Sequence, residues 1–210
     1  MIRVLIADDH AILRRGLIDI LTRELKGAAC SEAENAQQAL DQVERHDWDL
    51  VILDVSMPGR SGIDVLRDLK QLRPKLPVLV LSVHPEEQYG KRVLKAGGRG
   101  YLKKDSAPEE LIKAVRKVLA GGRYVSPTLA EKLALELNEG RDRSPHETLS
   151  DREFEVLRMI ASGKTVTQIA GELHLSATTI STYRARVLEK MNMTTSAELM
   201  RYALRNHLVD

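Results

Sequence analysis

Residues 50–59 read L-V-I-L-D-V-S-M-P-G, an unbroken apolar, β-branched run that stops on a carboxylate, Asp54, and gives way to Pro58-Gly59. A strand with one wet face would alternate polar and apolar residues, so this run predicts a strand covered on both sides, as in a parallel sheet. Similar runs lie to either side of it, at Arg3 to Ala7, Ala28 to Glu34, Val78 to Val83 and Gly100 to Leu102. Between them fall stretches with helical spacing, near His10 to Glu24, Ala36 to Arg45, Ser61 to Leu72, Pro85 to Ala96 and Pro108 to Ala120. Five strands alternating with five helices predict an α/β domain with a doubly wound, five-stranded parallel sheet.

In such a sheet the crevice lies outside the carboxyl ends of the strands, so residues that end separate runs meet there. Asp8 and Asp9 end the first run, Asp54 the third and Ser82 the fourth, and Lys104 follows the fifth. Three carboxylates crowded at one edge repel unless a divalent cation or a lysine offsets them, which points to a magnesium site with an anion beside it. Taken alone, Asp9 is better read as a cap on the following helix, but polar groups recurring at so many strand ends favour a shared site.

Beyond Gly121-Gly122 comes one more helical stretch, Pro127 to Leu137, and then N-E-G-R-D-R-S-P at 138–145, which reads as a polar tether. A second domain starts where Ser150 and Glu153 form a capping box, with Leu149 and Phe154 placed as the hydrophobic staple around it. From there to Asp210 every periodic stretch reads helical. The expected division is a first domain over 1–124, a linker helix and tether over 125–147, and a small all-α domain over 148–210.

Composition narrows the function classes. The single Cys30 excludes a disulfide framework or a thiolate metal site, and the six scattered histidines present no pair at ligand spacing, so none is read as a ligand. No apolar run approaches the ~20 residues of a membrane span, and acidic residues arrive too early for a signal peptide, so a cytoplasmic location is expected. Residues 1–125 carry 21 basic and 18 acidic side chains, whereas residues from 144 onward carry eight of each. A nucleic-acid partner for the helical domain must therefore be argued from where its charges sit.

I-A-D-D-H at 6–10, L-D-V-S-M-P-G at 53–59, L-S-V at 81–83 and G-Y-L-K-K-D at 100–105 together resemble the receiver domain of bacterial response regulators, over residues 1 to about 122. The resemblance implies a flavodoxin-like sheet, with Asp54 accepting a phosphoryl group from a sensor histidine kinase. It further implies that Asp9, Asp54 and the main-chain carbonyl of Ser56 hold Mg²⁺, with Asp8 acting mainly through water. Ser82 is similar to the family's switch hydroxyl and Tyr101 to its switch aromatic. Of Lys103 and Lys104, the family's spacing selects Lys104 to pair with the phosphoryl group. Pro58-Gly59 would shape the loop after Asp54. The acyl phosphate would draw the Ser82 hydroxyl inward and let Tyr101 follow into the vacated space. A phosphohydrolase is the competing class, but such enzymes place an acidic residue two positions after the nucleophile, where this chain has Ser56.

In the helical domain, residues 149–164, 167–173 and 175–191 space two helices around a tight turn, as in a helix-turn-helix. Counting about 100° per residue, Ile180, Tyr183, Val187 and Met191 form an inward stripe edged by Arg184. Thr178, Thr182, Ala185 and Glu189 face outward, beside Thr179, Ser181 and Arg186. This small, polar face can enter a major groove, with Arg184, Arg186 and Lys190 in reach of phosphates or guanine edges. The domain is similar to the LuxR-type helix-turn-helix of the NarL/FixJ regulators, and S-T-Y-R-A-R-V-L-E-K-M at 181–191 is most similar to the branch that includes BvgA and EvgA. Thr167 and Ser181 stand where lysine is frequent in the family, and Tyr183 where histidine is frequent. The resemblance implies a transcription factor acting on double-stranded DNA as a homodimer when phosphorylated, with RNA polymerase as a candidate partner and no turnover enzymology. Leu199, Tyr202 and Ala203, with Leu208, either pair across that dimer or close the domain's own core. A protein-binding role for the helical domain is the remaining alternative.

Overall fold

The computed structural model describes residues 1–57, 60–106, 108–139 and 144–209. Its chain divides into two compact units, Met1–Glu139 and Gly140–Asp210. In the first, β1 (Ile2–Ala7), β2 (Ala28–Ala33), β3 (Leu50–Asp54), β4 (Val78–Ser82) and β5 (Gly100–Lys103) form one parallel sheet in the order β2-β1-β3-β4-β5. Every residue of β3 and β4 is buried, as continuous apolar runs require. On one face α1 (Ala11–Glu24) and α5 (Pro108–Leu119) enclose Val4, Ile6, Leu17, Leu21, Ile52, Leu79 and Val115. The other face is covered by α2 (Ala36–Arg45), α3 (Gly62–Leu72) and α4 (Glu86–Lys95).

Local chemistry sets the entries to these helices. Asn35 accepts a hydrogen bond from the Gln38 N–H at the start of α2. The N-cap of α1 is His10, whose side chain makes no capping bond, so Asp9 is not spent as a cap. Gly62 opens α3 against the chain leaving β3, and a Cβ there would lie 2.1 Å from the Cα of Val55, so only glycine permits the approach.

The helix predicted within the linker is α6 (Pro127–Glu139), and it packs on α4. Leu129 is 1% exposed and sits over Gly90, whose missing side chain leaves the notch it fills. Ser126 accepts from the Leu129 N–H to cap α6, and its own N–H donates to Glu86 at 3.2 Å. The sequence assigned this stretch to a linker because a lone amphipathic helix beside a tether carries no mark of what it covers. Residues 140–143 of the tether, and Pro58-Gly59, lie outside the described residues.

The second unit holds a 3₁₀ turn (Pro145–Thr148) and α7 (Asp151–Ala161), α8 (Val166–Leu173), α9 (Ala177–Lys190) and α10 (Ser196–Arg205). The Ser150–Glu153 capping box forms, and Leu149 and Phe154 are both buried beside it. Two further boxes, Thr165 with Gln168 and Thr195 with Glu198, start α8 and α10. Among the described residues no helix is long and apolar enough to cross a membrane.

Candidate functional site

The sheet reverses its strand order between β1 and β3, which lie side by side with Ala7 opposite Leu53. The next residue of each chain is an aspartate, so Asp8 and Asp54 reach the same crevice at the switch point. Both are buried, at 2% and 1% exposed. Lys104 Nζ donates to Asp54 Oδ2 at 2.7 Å and stands 2.7 Å from Asp8 Oδ2 as an ion pair. Lys103, one residue earlier, is half exposed and lies 3.8 Å from Asp105. The other Asp54 oxygen accepts from the Ser56 N–H at 2.8 Å.

Burial pushes the Asp54 carboxyl above its ordinary pKa, against the pull of Lys104 and the Ser56 N–H and with the added repulsion of Asp8. Burial also works against the Lys104 ammonium, but the hydrogen bond to Asp54 and the charges of Asp54 and Asp8 prevail and raise its pKa. The crevice thus holds a lysine firmly cationic between two carboxylates.

One ammonium does not satisfy this edge. Among the described residues Asp8 Oδ2, although ion-paired, has no donor in hydrogen-bond geometry, and neither Asp9 Oδ1 nor Ser56 Oγ has a hydrogen-bond partner, though all three atoms are buried. Ligand atoms of Asp8, Asp9, His10 and Asp54 lie within 4.8 Å of one another. Buried, acceptor-rich oxygens in excess of donors suit a hard divalent cation, so the residues fit such an ion. His10 is the member that sequence reasoning passed over. Its ring nitrogen lies 2.9 Å from Asp9 Oδ1, and the main-chain N–H of His10 donates to Asp8 Oδ1 at 2.8 Å. An isolated histidine carries no spacing signal, though its adjacency to Asp8-Asp9 was visible.

Ser82 is wholly buried at the end of β4, and its hydroxyl accepts from the His84 N–H at 3.2 Å. Tyr101 is 1% exposed and donates to the His84 carbonyl at 2.8 Å. Tyr101 thus packs inside and does not stand out into solvent. Both side chains hold the loop around His84, whose ring stacks on Tyr89 of α4 with centroids 4.7 Å apart.

In the helical domain, Ile180, Val187 and Met191 are buried and Thr178, Ser181, Thr182, Ala185 and Arg186 are exposed. Thr179 is half-buried and hydrogen-bonds Ser176, and Thr182 donates to the Thr178 carbonyl. Arg184 Nε donates to Ser196 Oγ at 2.9 Å, and Lys190 Nζ pairs with the buried Glu153 at 2.7 Å. Two of the three cations assigned to DNA are thus engaged within the domain, Arg184 with the first residue of α10 and Lys190, at the end of α9, with the first turn of α7. Leu199 and Ala203 are 0% exposed, and Tyr202 hydrogen-bonds His146 at 2.8 Å. Of the two readings of that stripe, its packing against α7 favours closure of the domain's own core over a dimer contact.

Residues 4–116 match the family described as response regulator receiver domain, and residues 147–203 match the bacterial regulatory proteins of the luxR family. Response regulator GacA of Pseudomonas aeruginosa is 36% identical over 212 residues, covering 100% of this chain and 99% of that protein. Response regulator UvrY of Escherichia coli K12 is 35% identical over 210 residues, covering 99% and 96%. Among solved structures, RcsB of Salmonella enterica serovar Typhimurium, bound to the rprA promoter with the phosphomimetic BeF3-, is similar at a TM-score of 0.65 and 29% identity, covering 96% of this chain and 98% of that one. Matched end to end by response regulators and carrying both a receiver and a luxR-family domain, the chain belongs to the response regulators that act as transcription factors.

Proposed function

We propose that Asp54 accepts a phosphoryl group from a phosphohistidine on a sensor histidine kinase, and that this controls sequence-specific DNA binding by α9. The supporting observation is the buried Asp54 carboxylate paired with Lys104 at the switch point of the sheet. An ionised Asp54 oxygen attacks phosphorus, the bond from phosphorus to the kinase imidazole breaks, and the imidazole leaves with the bonding pair. Lys104 meets the negative charge on the transferring oxygens. Asp9, Asp54 and the Ser56 carbonyl would hold Mg²⁺, with Asp8 acting through water. When bound, the ion supplies further charge stabilisation. With Ser56 where a hydrolase carries its acid, the chain performs one transfer onto itself and does not turn over.

Ser82 and Tyr101 act as the switch by shifting the loop around His84. The outward face of Thr178, Thr179, Ser181, Thr182 and Ala185 enters the major groove, and Arg186 meets phosphate. Arg184 and Lys190 reach DNA by exchanging Ser196 and Glu153 for phosphate. A homodimer formed on phosphorylation uses surfaces other than the buried Leu199 and Ala203. The protein works in the cytoplasm, with RNA polymerase as a further partner, and its DNA-binding domain belongs with the BvgA/EvgA branch. The receiver spans 1–124, the linker 125–147 and the DNA-binding domain 148–210.

Incubation with acetyl phosphate and Mg²⁺ followed by intact mass measurement tests the transfer, and an unmodified wild type overturns it. Selection of bound genomic DNA fragments tests the second half, and failure to enrich any fragment favours a protein-binding role for the helical domain.

A further inference from the structure

Arg14 is one of the few charged side chains buried in the first unit, at 4% exposed, and the phosphotransfer chemistry makes no use of it. It projects from the first turn of α1 into three acceptors. Nη1 donates to the main-chain carbonyl of Asp8 at 2.7 Å, Nε to Glu32 Oε2 at 2.7 Å and Nη2 to Glu34 Oε1 at 3.2 Å. Burying a guanidinium costs several kcal/mol unless its donors and charge are met, and here the two carboxylates from the edge of the sheet meet both.

We propose that Arg14 is a positioning residue for the divalent cation of the acidic crevice. The Asp8 carbonyl belongs to the peptide plane that joins Asp8 to Asp9. The Asp8 N–H is bonded to Ala33 at 3.1 Å and one carboxylate oxygen to the His10 N–H at 2.8 Å. Arg14 holds the Asp8 carbonyl as well, so the peptide plane from which both aspartates branch is restrained. Electrostatics gives Glu32 and Glu34 a second task. A bare guanidinium against the crevice would repel a dication, and the two glutamates offset it. A cation site is thus tuned from the edge strand β2, through residues that never touch the ion.

The inference rests on the proposal of a divalent cation at Asp8, Asp9 and Asp54, and calorimetric Mg²⁺ titration of the full-length protein tests it without phosphorylation. Partners that orient metal ligands change affinity by about 10–100-fold when removed, and Arg14→Met should weaken Mg²⁺ binding by about 10-fold. Arg14→Lys keeps the charge but loses the fork and should restore only part of that loss. Glu32→Gln with Glu34→Gln keeps oxygen acceptors for the fork but removes the charge that offsets Arg14, and should weaken Mg²⁺ about threefold in the folded variant while lowering the melting temperature. Mg²⁺ affinity within twofold of wild type in the double glutamine variant, or in a folded Arg14→Met, overturns the assignment. A wild type that binds no Mg²⁺ overturns both this inference and the proposed site. Tight Mg²⁺ binding without phosphoryl uptake removes the phosphoacceptor reading and leaves the Arg14 test intact.

Discussion

Asp54 closes a strand with no exposed residue, so its carboxylate has lost water and depends on Lys104 and one main-chain N–H for compensation. Such a group is a competent nucleophile only while a cation stands beside it. Lys104→Ala should slow phosphorylation from acetyl phosphate by about 100-fold, the usual cost of deleting one preorganised donor, whereas Lys103→Ala should leave the rate near wild type. Asp54→Asn should abolish the mass increase altogether. Time courses of intact mass at fixed Mg²⁺ separate these outcomes, and equal effects of the two lysine variants would remove the role given to Lys104.

Among the helices, α7 and α9 are tied by Glu153, which caps α7 and pairs with Lys190 of α9. Burial works to raise the Glu153 pKa, but Lys190 and the Ser150 N–H outweigh it and hold the carboxyl below its ordinary value. A depressed folded-state pKa gives stability that is complete above the unfolded pKa, about 4.3, and is lost as pH falls through the folded value. Glu153→Gln keeps a capping acceptor and removes the charge. Its melting temperature should therefore trail wild type at neutral pH, and the gap should close as pH drops below 4.3. On α9, Arg186 is exposed with no ion pair among the described residues. Arg186→Ala should weaken DNA binding and lower the salt slope by about one unit, read from affinity across a salt series. An unchanged slope removes Arg186 from the phosphate contacts.

At the scale of the whole chain, the first unit extends past the expected receiver boundary because Leu129 of α6 seats over Gly90 of α4. Leu129→Ala should cost about 2–5 kcal/mol, as for other buried leucines. A fragment of residues 1–139 should melt higher than one of residues 1–124. Equal melting temperatures would mean that α6 adds nothing to the first unit. In full-length protein, phosphorylation should raise DNA affinity in wild type and leave Asp54→Asn unchanged, as measured on the same DNA fragment.

The α/β order, all five strands and the strand-end residues Asp8, Asp9, Asp54, Ser82 and Lys104 were legible in the chain. Continuous apolar runs, helical spacing and polar strand ends are local signals, and parallel topology carries local ends into one crevice. The Ser150 capping box and the outward face of α9 were legible for the same reason, each being complete within a few residues. Only the tertiary structure decided what depends on long-range packing. It closed Leu199 and Ala203 inside the core, tied Lys190 to Glu153, seated α6 on α4, put Tyr101 inside, and brought Arg14 of α1 to the Asp8 carbonyl between two glutamates. An amphipathic stripe or a cation in a sequence declares that it needs a partner, and only the folded chain determines which partner lies within reach.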